Sequence, residues 1–182
     1  MALVLASASP QRRTILEQLG VEFTVVPADV HERTGGDPGK LVEHNAVLKA
    51  RAVDGERVLG SDTAVAIDGE VLGKPADEEE ARAFLRRLSG REHTVWSAVA
   101  LVEKGEAVAA VDSAAVRFRA LDASEIDAYV ATGEWQNRAG GYAIQGRGAV
   151  LVQRVEGDYN CIVGLPVAAL VGMAPHLFAP AC

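Results

Sequence analysis

The sequence predicts a mixed α/β fold, with a twisted, partly antiparallel sheet flanked by helices. Apolar strands alternate with helical patterns in the first half of the chain, as in βα units. Asp68-Gly69 is a hairpin signal. Two β-rich runs, 93–102 and 107–118, flank a turn at 104–105 and indicate an antiparallel hairpin. Because βα units and hairpins occur in one chain, a mixed sheet is favoured over a purely parallel one.

The first elements follow from turn and capping residues. An apolar strand is predicted over 2–6 and a helix over 10–19, in which Ser9 is a natural N-cap and Pro10 suits the first helical position. Gly20 ends this helix. Next come a strand, a loop rich in Gly and Pro, and a second helix, over 21–26, 27–39 and 38–53.

The later elements alternate in type. Asp77 is expected to cap a helix, because three glutamates follow it and match the helix dipole. The predicted strands are 57–67, 70–72, 149–155 and 161–163, and the predicted helices are 78–88, 124–131 and 166–173.

Length and composition restrict the function classes. A chain of 182 residues, 49% hydrophobic and 24% charged, suits one globular domain spanning 1–182. A net charge of −7 argues against extended binding to nucleic acid or to an anionic membrane. Cys161 and Cys182 are too few for a disulfide framework, and neither a signal peptide nor a membrane span is apparent. We therefore expect a cytoplasmic protein.

Two adjacent arginines begin the first helix. Arg12 and Arg13 lie in the first turn, where the helix dipole disfavours cations unless an anion shares the site. A polyphosphate ligand would explain them. The alternative is that both side chains reach solvent or pair with nearby acids such as Glu17.

Other polar residues lie in apolar or glycine-rich surroundings. Asp62, inside a strand, either binds a metal or cation, acts as a base, or caps a turn. Lys74 is either a phosphate contact or a solvated lysine. Asn45 and Lys49 share a helix face. Gln145 follows a glycine-rich run that either approaches a ligand or forms a tight turn.

The absent motifs are also informative. The four histidines form no HExxH pattern, and there is neither a G-x-S-x-G motif nor a plausible Cys-His pair. The remaining groups are carboxylates with Lys and Arg, which are typical of magnesium-dependent phosphate chemistry.

Taken together, these motifs resemble the Maf family of nucleoside triphosphate pyrophosphatases over nearly the whole chain. The matching blocks, in order, are LASASPQRR, NAVLKA, GSDT, LGKP, LSG, GGYAIQG and GLP. The resemblance implies a nucleotide cleft in the mixed α/β fold, similar to that of inosine triphosphatases, and a homodimer. It also implies a divalent cation, Mg²⁺ or Mn²⁺, and hydrolysis of a nucleoside triphosphate to monophosphate and pyrophosphate.

The resemblance also implies roles for individual residues. Asp62 matches the proton acceptor, and Glu32 matches an acid that helps to hold the metal. The residues that match the phosphate site are Ser7, Arg12, Arg13, Lys49 and Lys74. Thr63 and Gln145 match specificity positions and resemble the dTTP/UTP branch.

Two positions depart from the family pattern. The third specificity position is Gln11, where the dTTP/UTP branch has an arginine, and a neutral amide cannot replace a bidentate cation. Asn137-Arg138 stands where many relatives have an acid followed by lysine.

The sequence leaves three functional hypotheses. The first is pyrophosphatase activity on dTTP, UTP or modified nucleotides. The second is a nucleotide-binding regulator of septum formation or cell division without significant turnover. The third is a housekeeping pyrophosphatase for noncanonical purine triphosphates, which would differ only in the base pocket.

Overall fold

The computed structural model describes residues 3–178, which contain one mixed sheet with helices on both faces. Its strands are β1 (Leu3–Leu5), β2 (Phe23–Val25), β3 (Arg57–Ile67), β4 (Glu70–Leu72), β5 (Glu92–Glu103), β6 (Glu106–Phe118) and β7 (Val152–Glu156). Its α-helices are α1 (Pro10–Gln18), α2 (Pro38–Arg51), α3 (Glu78–Leu88), α4 (Ala123–Val130), α5 (Tyr159–Val163) and α6 (Val167–Met173). Short 3-10 helices cover Ala139–Gly141, Gly146–Leu151 and Pro175–Leu177.

The sheet combines parallel and antiparallel pairing. Its order is β2-β1-β3-β5-β6-β7, and β4 also pairs with β3. β1 runs parallel to both β2 and β3, whereas the pairs β3–β4, β3–β5, β5–β6 and β6–β7 are antiparallel. The predicted fold class is therefore confirmed.

One edge of β3 has a gap in its strand pairing. β5 pairs with β3 continuously from Arg57 to Ala66. On the opposite edge, β1 pairs only with Val58 and Leu59, and β4 pairs only with residues 65–67. Within the described chain, residues 60–64 therefore have no strand beside them on that edge. The chain leaves β1 at this point and enters the turn before α1.

Helix α2 packs very closely against one face of β3. A Cβ atom added to Gly60 would lie 2.2 Å from the carbonyl oxygen of Ala46 and 2.7 Å from the backbone nitrogen of Ala50. The contact is possible only because glycine and two alanines meet there, and it brings the α2 side chains directly over β3.

The other face of the sheet carries the larger core. Phe118, Leu85 and Leu88 are buried in this cluster. The glycine-rich segment covers its edge near β3: Gly140 has φ +70°, and an added Cβ would lie 2.9 Å from the Val65 side chain. The backbone nitrogen of Gly140 donates to the Gly73 carbonyl at 2.9 Å. These contacts fix the segment against the sheet.

Two predicted strands differ from the structure. Residues 161–163 belong to α5, whose N-cap Asp158 accepts a hydrogen bond from the Asn160 backbone nitrogen. The strand prediction there was wrong because β-branched residues occupy a single, buried helical turn, so packing overrides local propensity. The predicted strand 149–155 begins as the 3-10 helix ending at Leu151, and only its second part is β7. Ala2, in the predicted first strand, lies outside the described residues.

None of the helices in residues 3–178 has the length and apolar character required to cross a membrane.

The α2–β3 contact predicts that Gly60→Ala is destabilising. The added methyl group would meet backbone atoms, which cannot rotate away. We expect a loss of about 1–3 kcal/mol in the free energy of unfolding, measured by urea titration. Gly172→Ala is the control, because a Cβ there meets nothing within 4 Å. Equal stability of the two variants would contradict the close contact.

His93 predicts acid sensitivity. It is buried between the rings of Phe118 and Tyr142, Nε2 lies 2.8 Å from the Tyr142 hydroxyl, and Nδ1 has no partner among the described residues. Burial lowers the pKa of His93 to about 4. Below pH 6.5 the unfolded chain therefore takes up a proton that the folded chain does not, so stability falls as the pH drops from about 6.5 to about 4.

The lowered pKa of His93 reduces the free energy of unfolding by at most roughly 3 kcal/mol at acidic pH. Urea titrations across the pH range should give His93→Gln a flatter stability profile than the unchanged protein in this window. His31→Gln, at an exposed histidine, should leave the profile unchanged. A profile that keeps its slope in His93→Gln would show that other groups cause the acid sensitivity.

Candidate functional site

A cleft of about 550 Å³ opens at the gap beside β3. It draws residues from the turn after β1, from α1 and α2, from β3 and from the glycine-rich segment. The predicted site residues that line it are Ser7, Gln11, Arg12, Glu32, Lys49, Asp62, Thr63, Lys74 and Gln145. Residues from both faces of the sheet meet here because neighbouring β3 side chains point to opposite faces.

On the α2 face, one ammonium group joins two carboxylates. Lys49 Nζ lies 2.7 Å from Asp62 Oδ1 and 3.0 Å from Glu32 Oε1. Only 9% of the Lys49 side chain and 10% of the Asp62 side chain are exposed. Glu32 and Asp62, which are 30 positions apart in the sequence, therefore lie close together in the cleft.

Asn45 fixes this arrangement from one helical turn away. Its side-chain amide donates to Asp62 Oδ2 at 3.0 Å and to the Arg33 carbonyl at 3.1 Å, while its Oδ1 accepts from the Arg33 backbone nitrogen at 2.9 Å. Asn45 thus binds the loop residue next to Glu32. The sequence placed Asn45 and Lys49 on one helix face, but it contained no signal for the loop contact.

On the opposite face, Arg12 is buried among neutral oxygen atoms. Nε donates to the Gly164 carbonyl at 2.8 Å, Nη1 to Ser7 Oγ at 3.0 Å and Nη2 to Thr63 Oγ1 at 3.1 Å. The Gly164 carbonyl also accepts from Ser61 Oγ at 3.1 Å. Sequence reasoning did not identify this carbonyl as an anchor, although the GLP block contains it.

Among the residues that the structure describes, the charge of Arg12 has no counterion in direct contact. Within residues 3–178 no carboxylate lies within 4.0 Å of its guanidinium nitrogens. Burial lowers the pKa of Arg12 from its ordinary value, and the charges of Asp62 and Glu32 partly oppose that shift from a longer distance. A buried cation held only by neutral groups favours an incoming anion.

Thr63 and Gln145 differ in how they are held. Thr63 Oγ1 lies 2.8 Å from Ser97 Oγ, which donates to the Cys161 carbonyl at 2.7 Å. The threonine is thereby tied to a buried network. Gln145 is exposed at the N-cap of the 3-10 helix that begins at Gly146, and its side chain makes no capping hydrogen bond.

Lys74 is placed by the glycine contact described above. It follows Gly73, whose carbonyl accepts from Gly140, so the lysine is held beside the glycine-rich segment at the cleft. Its side chain is exposed, and no carboxylate in the described part of the chain forms an ion pair with it.

Arg13 points elsewhere. Its Nε donates to Glu17 Oε1 at 2.7 Å, and 63% of its side chain is exposed. This is the ion pair that the sequence left open as an alternative. The structure therefore takes Arg13 out of the predicted group of cations that line the cleft.

The donor set allows a divalent ion with few protein ligands. Described residues contain no group of three or more His, Cys, Asp or Glu side chains suited to a metal. Glu32 and Asp62 supply hard carboxylate oxygens close together. Mg²⁺ is commonly bound by one or two carboxylates, substrate phosphates and water, so these two residues fit that mode.

A family model described as "Maf-like protein" matches residues 2–177. The chain belongs to the Maf family. A relative from Symbiobacterium thermophilum, named dTTP/UTP pyrophosphatase, is 48% identical over 177 residues, covering 94% of this chain and 91% of the relative.

Two further Maf relatives carry the same name. The Thermus thermophilus protein is 49% identical over 172 residues, covering 94% of this chain and 92% of its own. A protein from Anaeromyxobacter dehalogenans is 50% identical over 172 residues, covering 91% of this chain and 89% of the relative. The likeness therefore extends over nearly the whole Maf domain.

The buried Lys49–Asp62 ion pair predicts a large effect of Lys49→Met. Removal of the ammonium group leaves Asp62 and Glu32 as neighbouring carboxylates without their shared cation. We expect a loss of about 3–5 kcal/mol in the free energy of unfolding, measured by urea titration at pH 7. Arg13→Met removes an exposed partner of Glu17 and should change little. Comparable losses in both variants would contradict the assigned difference in burial.

Proposed function

We propose that this chain is a nucleoside triphosphate pyrophosphatase that releases pyrophosphate from dTTP and UTP and leaves the monophosphate. The observation that carries the proposal is the buried Arg12 guanidinium, which contacts no carboxylate among residues 3–178, in a cleft that also contains the Lys49–Asp62–Glu32 group. The names of the Maf relatives support the same reaction and the same bases.

In this proposal the cations bind the triphosphate. Arg12 and Lys49 are held rigidly by buried contacts, whereas Lys74 is exposed and can follow the ligand. Positive charge near the pyrophosphate leaving group stabilises the charge that develops there. Ser7, which accepts from Arg12, helps to keep the guanidinium in place.

Asp62 acts on the water molecule. Lys49 and Asn45 each donate to one of its carboxylate oxygens and thereby fix the plane of the carboxylate. The water oxygen forms a bond to the α-phosphorus, the bond between that phosphorus and the bridging oxygen to the β-phosphate breaks, and Asp62 accepts the proton. Pyrophosphate leaves with the electron pair of the broken bond.

Glu32 and Asp62 would hold the divalent cation, Mg²⁺ or Mn²⁺, which when bound neutralises phosphate charge and polarises the reacting phosphate. Lys49 already compensates both carboxylates in this arrangement. The lysine therefore keeps the acids stable and close together before nucleotide arrives.

A cytoplasmic location and a homodimer complete the proposal. The location is supported by the cysteine content, since two cysteines in 182 residues are too few for a disulfide framework and fit a reducing compartment. The homodimer rests on the family resemblance.

The proposal predicts that Asp62→Asn removes nearly all turnover in a folded protein. The amide retains the shape of the side chain but cannot accept the proton, so kcat should fall about 10²–10⁴-fold. Pyrophosphate and monophosphate should be quantified with dTTP and UTP in the presence of Mg²⁺ or Mn²⁺. The control is Asp68→Asn. Asp68 lies on the exposed hairpin turn and forms an ion pair with Arg91.

The nucleotide panel should include CTP, ITP, GTP and 7-methyl-GTP. Release from dTTP and UTP, lost in Asp62→Asn and kept in Asp68→Asn, would support the proposal. Nucleotide binding without pyrophosphate release by the unchanged protein would contradict it and favour a regulator. Preference for ITP would favour the noncanonical purine enzyme.

A further inference from the structure

A second guanidinium reaches the cleft from the segment before Gly140. Arg138 Nη1 donates to Gln11 Oε1 at 2.6 Å, although the two residues are 127 positions apart. Both line the cleft. This hydrogen bond joins the N-terminus of α1 to the glycine-rich segment across the cleft wall.

The guanidinium of Arg138 has few partners. Its Nε is buried and lacks an acceptor within residues 3–178, and no carboxylate there forms an ion pair with it. Gln11 Oε1 is the acceptor that the described chain provides. Burial lowers the pKa of Arg138 from its ordinary value, which reflects this poorly compensated position.

The hydrogen-bond partners of Gln11 fix the orientation of its side-chain amide. Arg138 can only donate, so the Gln11 oxygen must face it, and the same oxygen accepts from Ser9 Oγ at 3.2 Å. The amide nitrogen of Gln11 then retains its two N–H groups. What Gln11 and Arg138 together offer to a ligand is therefore a set of N–H donors without a free acceptor.

We propose that Arg138, held by Gln11, is a specificity-determining residue that donates to the 4-keto oxygen of a uracil or thymine base. Cytosine carries an amino group at that position, whose N–H groups would face N–H donors. This inference rests on the proposed pyrophosphatase function and deepens it by naming the atom that is recognised.

The pair also accounts for glutamine at position 11. The resemblance places an arginine there in the dTTP/UTP branch, but Gln11 contacts the Arg138 guanidinium, so an arginine at position 11 of this chain would bring a second guanidinium beside it. Two cations would then adjoin without an acid between them. In this chain the guanidinium reaches the same place from residue 138.

A phosphate contact would also satisfy these donors, but its effect would be independent of the base. Arg12, Lys49 and Lys74 already supply three cations to the cleft. The ratio of kcat/KM for UTP to kcat/KM for CTP therefore distinguishes base recognition by Arg138 from phosphate binding by Arg138.

The test is Arg138→Met in the full chain with UTP and CTP. Loss of a hydrogen bond from a charged group should lower kcat/KM for UTP about ten- to a hundredfold. The value for CTP should change little, so the UTP/CTP ratio should fall at least tenfold. Arg147→Met, an exposed arginine outside the cleft lining, is the matched control and should keep the ratio.

A swap tests the pairing with Gln11. Gln11→Arg alone should lower kcat/KM for UTP, and the double variant Gln11→Arg/Arg138→Gln should recover most of the UTP/CTP ratio. Urea titration identifies any variant that fails to fold. If Arg138→Met does not fold, Arg138→Lys replaces it, because lysine keeps the charge but loses the planar guanidinium.

Equal losses for UTP and CTP in Arg138→Met would overturn the inference and assign Arg138 to phosphate binding or to folding. An unchanged UTP/CTP ratio would overturn it as well. Failure of the underlying function looks different, because the unchanged protein would then release no pyrophosphate from any nucleotide.

Discussion

Lys49 places a buried positive charge between two carboxylates that come from different parts of the chain, and most of the cleft is arranged around it. Asp62 belongs to a central strand and Glu32 to a loop, and the Lys49 ammonium group contacts both carboxylates. A lone carboxylate in this setting would be costly to bury. The ammonium group makes the pair of acids compatible with a folded core and thereby holds an anionic pair beside a site for anionic ligands.

The position of Lys49 depends in turn on packing that involves no charge. Gly60 lets α2 approach β3 until backbone atoms nearly touch, and Lys49 is then one residue away from the contact at Ala50. Stability and chemistry are therefore coupled at this contact. A larger residue would move the helix, and the helix carries both Lys49 and Asn45, which hold the two oxygens of Asp62.

Charge is distributed unevenly in this molecule. The whole chain has a net charge of −7, yet four cationic side chains line the cleft, from Arg12, Lys49, Lys74 and Arg138, beside the acids Glu32 and Asp62. A local excess of cations inside an acidic protein attracts small anions and gives little support for long polyanions, which require an extended basic surface.

Much of the fold could be predicted because strong local signals coincide with tertiary structure. The alternating runs, the Asp68-Gly69 turn and the Asp77 cap specify β3 to α3 almost residue by residue. α5 was missed because its helical turn contains β-branched residues and is stabilised by burial of Cys161 and Ile162, which no local pattern reveals. Packing of this kind depends on residues far away in the sequence.

The site was partly predictable for a similar reason. Residue type and the motif blocks indicated Asp62, Lys49, Arg12 and Glu32 as candidates, and the structure brings them to one cleft. The direction in which each side chain points was not predictable. Arg12 and Arg13 are neighbours with equal chemistry, and only the rotation of α1 decides that one is buried against Gly164 while the other pairs with Glu17. The contact between Gln11 and Arg138 spans 127 positions and has no local signature.

The gap in strand pairing along β3 also bears on solubility. An unpaired strand edge is a template for pairing with other chains and thus an aggregation hazard. Here the free stretch covers only residues 60–64, and β1 and β4 lie on the same edge at its two ends. A foreign strand could not extend along it without displacing one of them. The mostly buried residues 60–64 can therefore lack a neighbouring strand on this edge without offering a template for self-association.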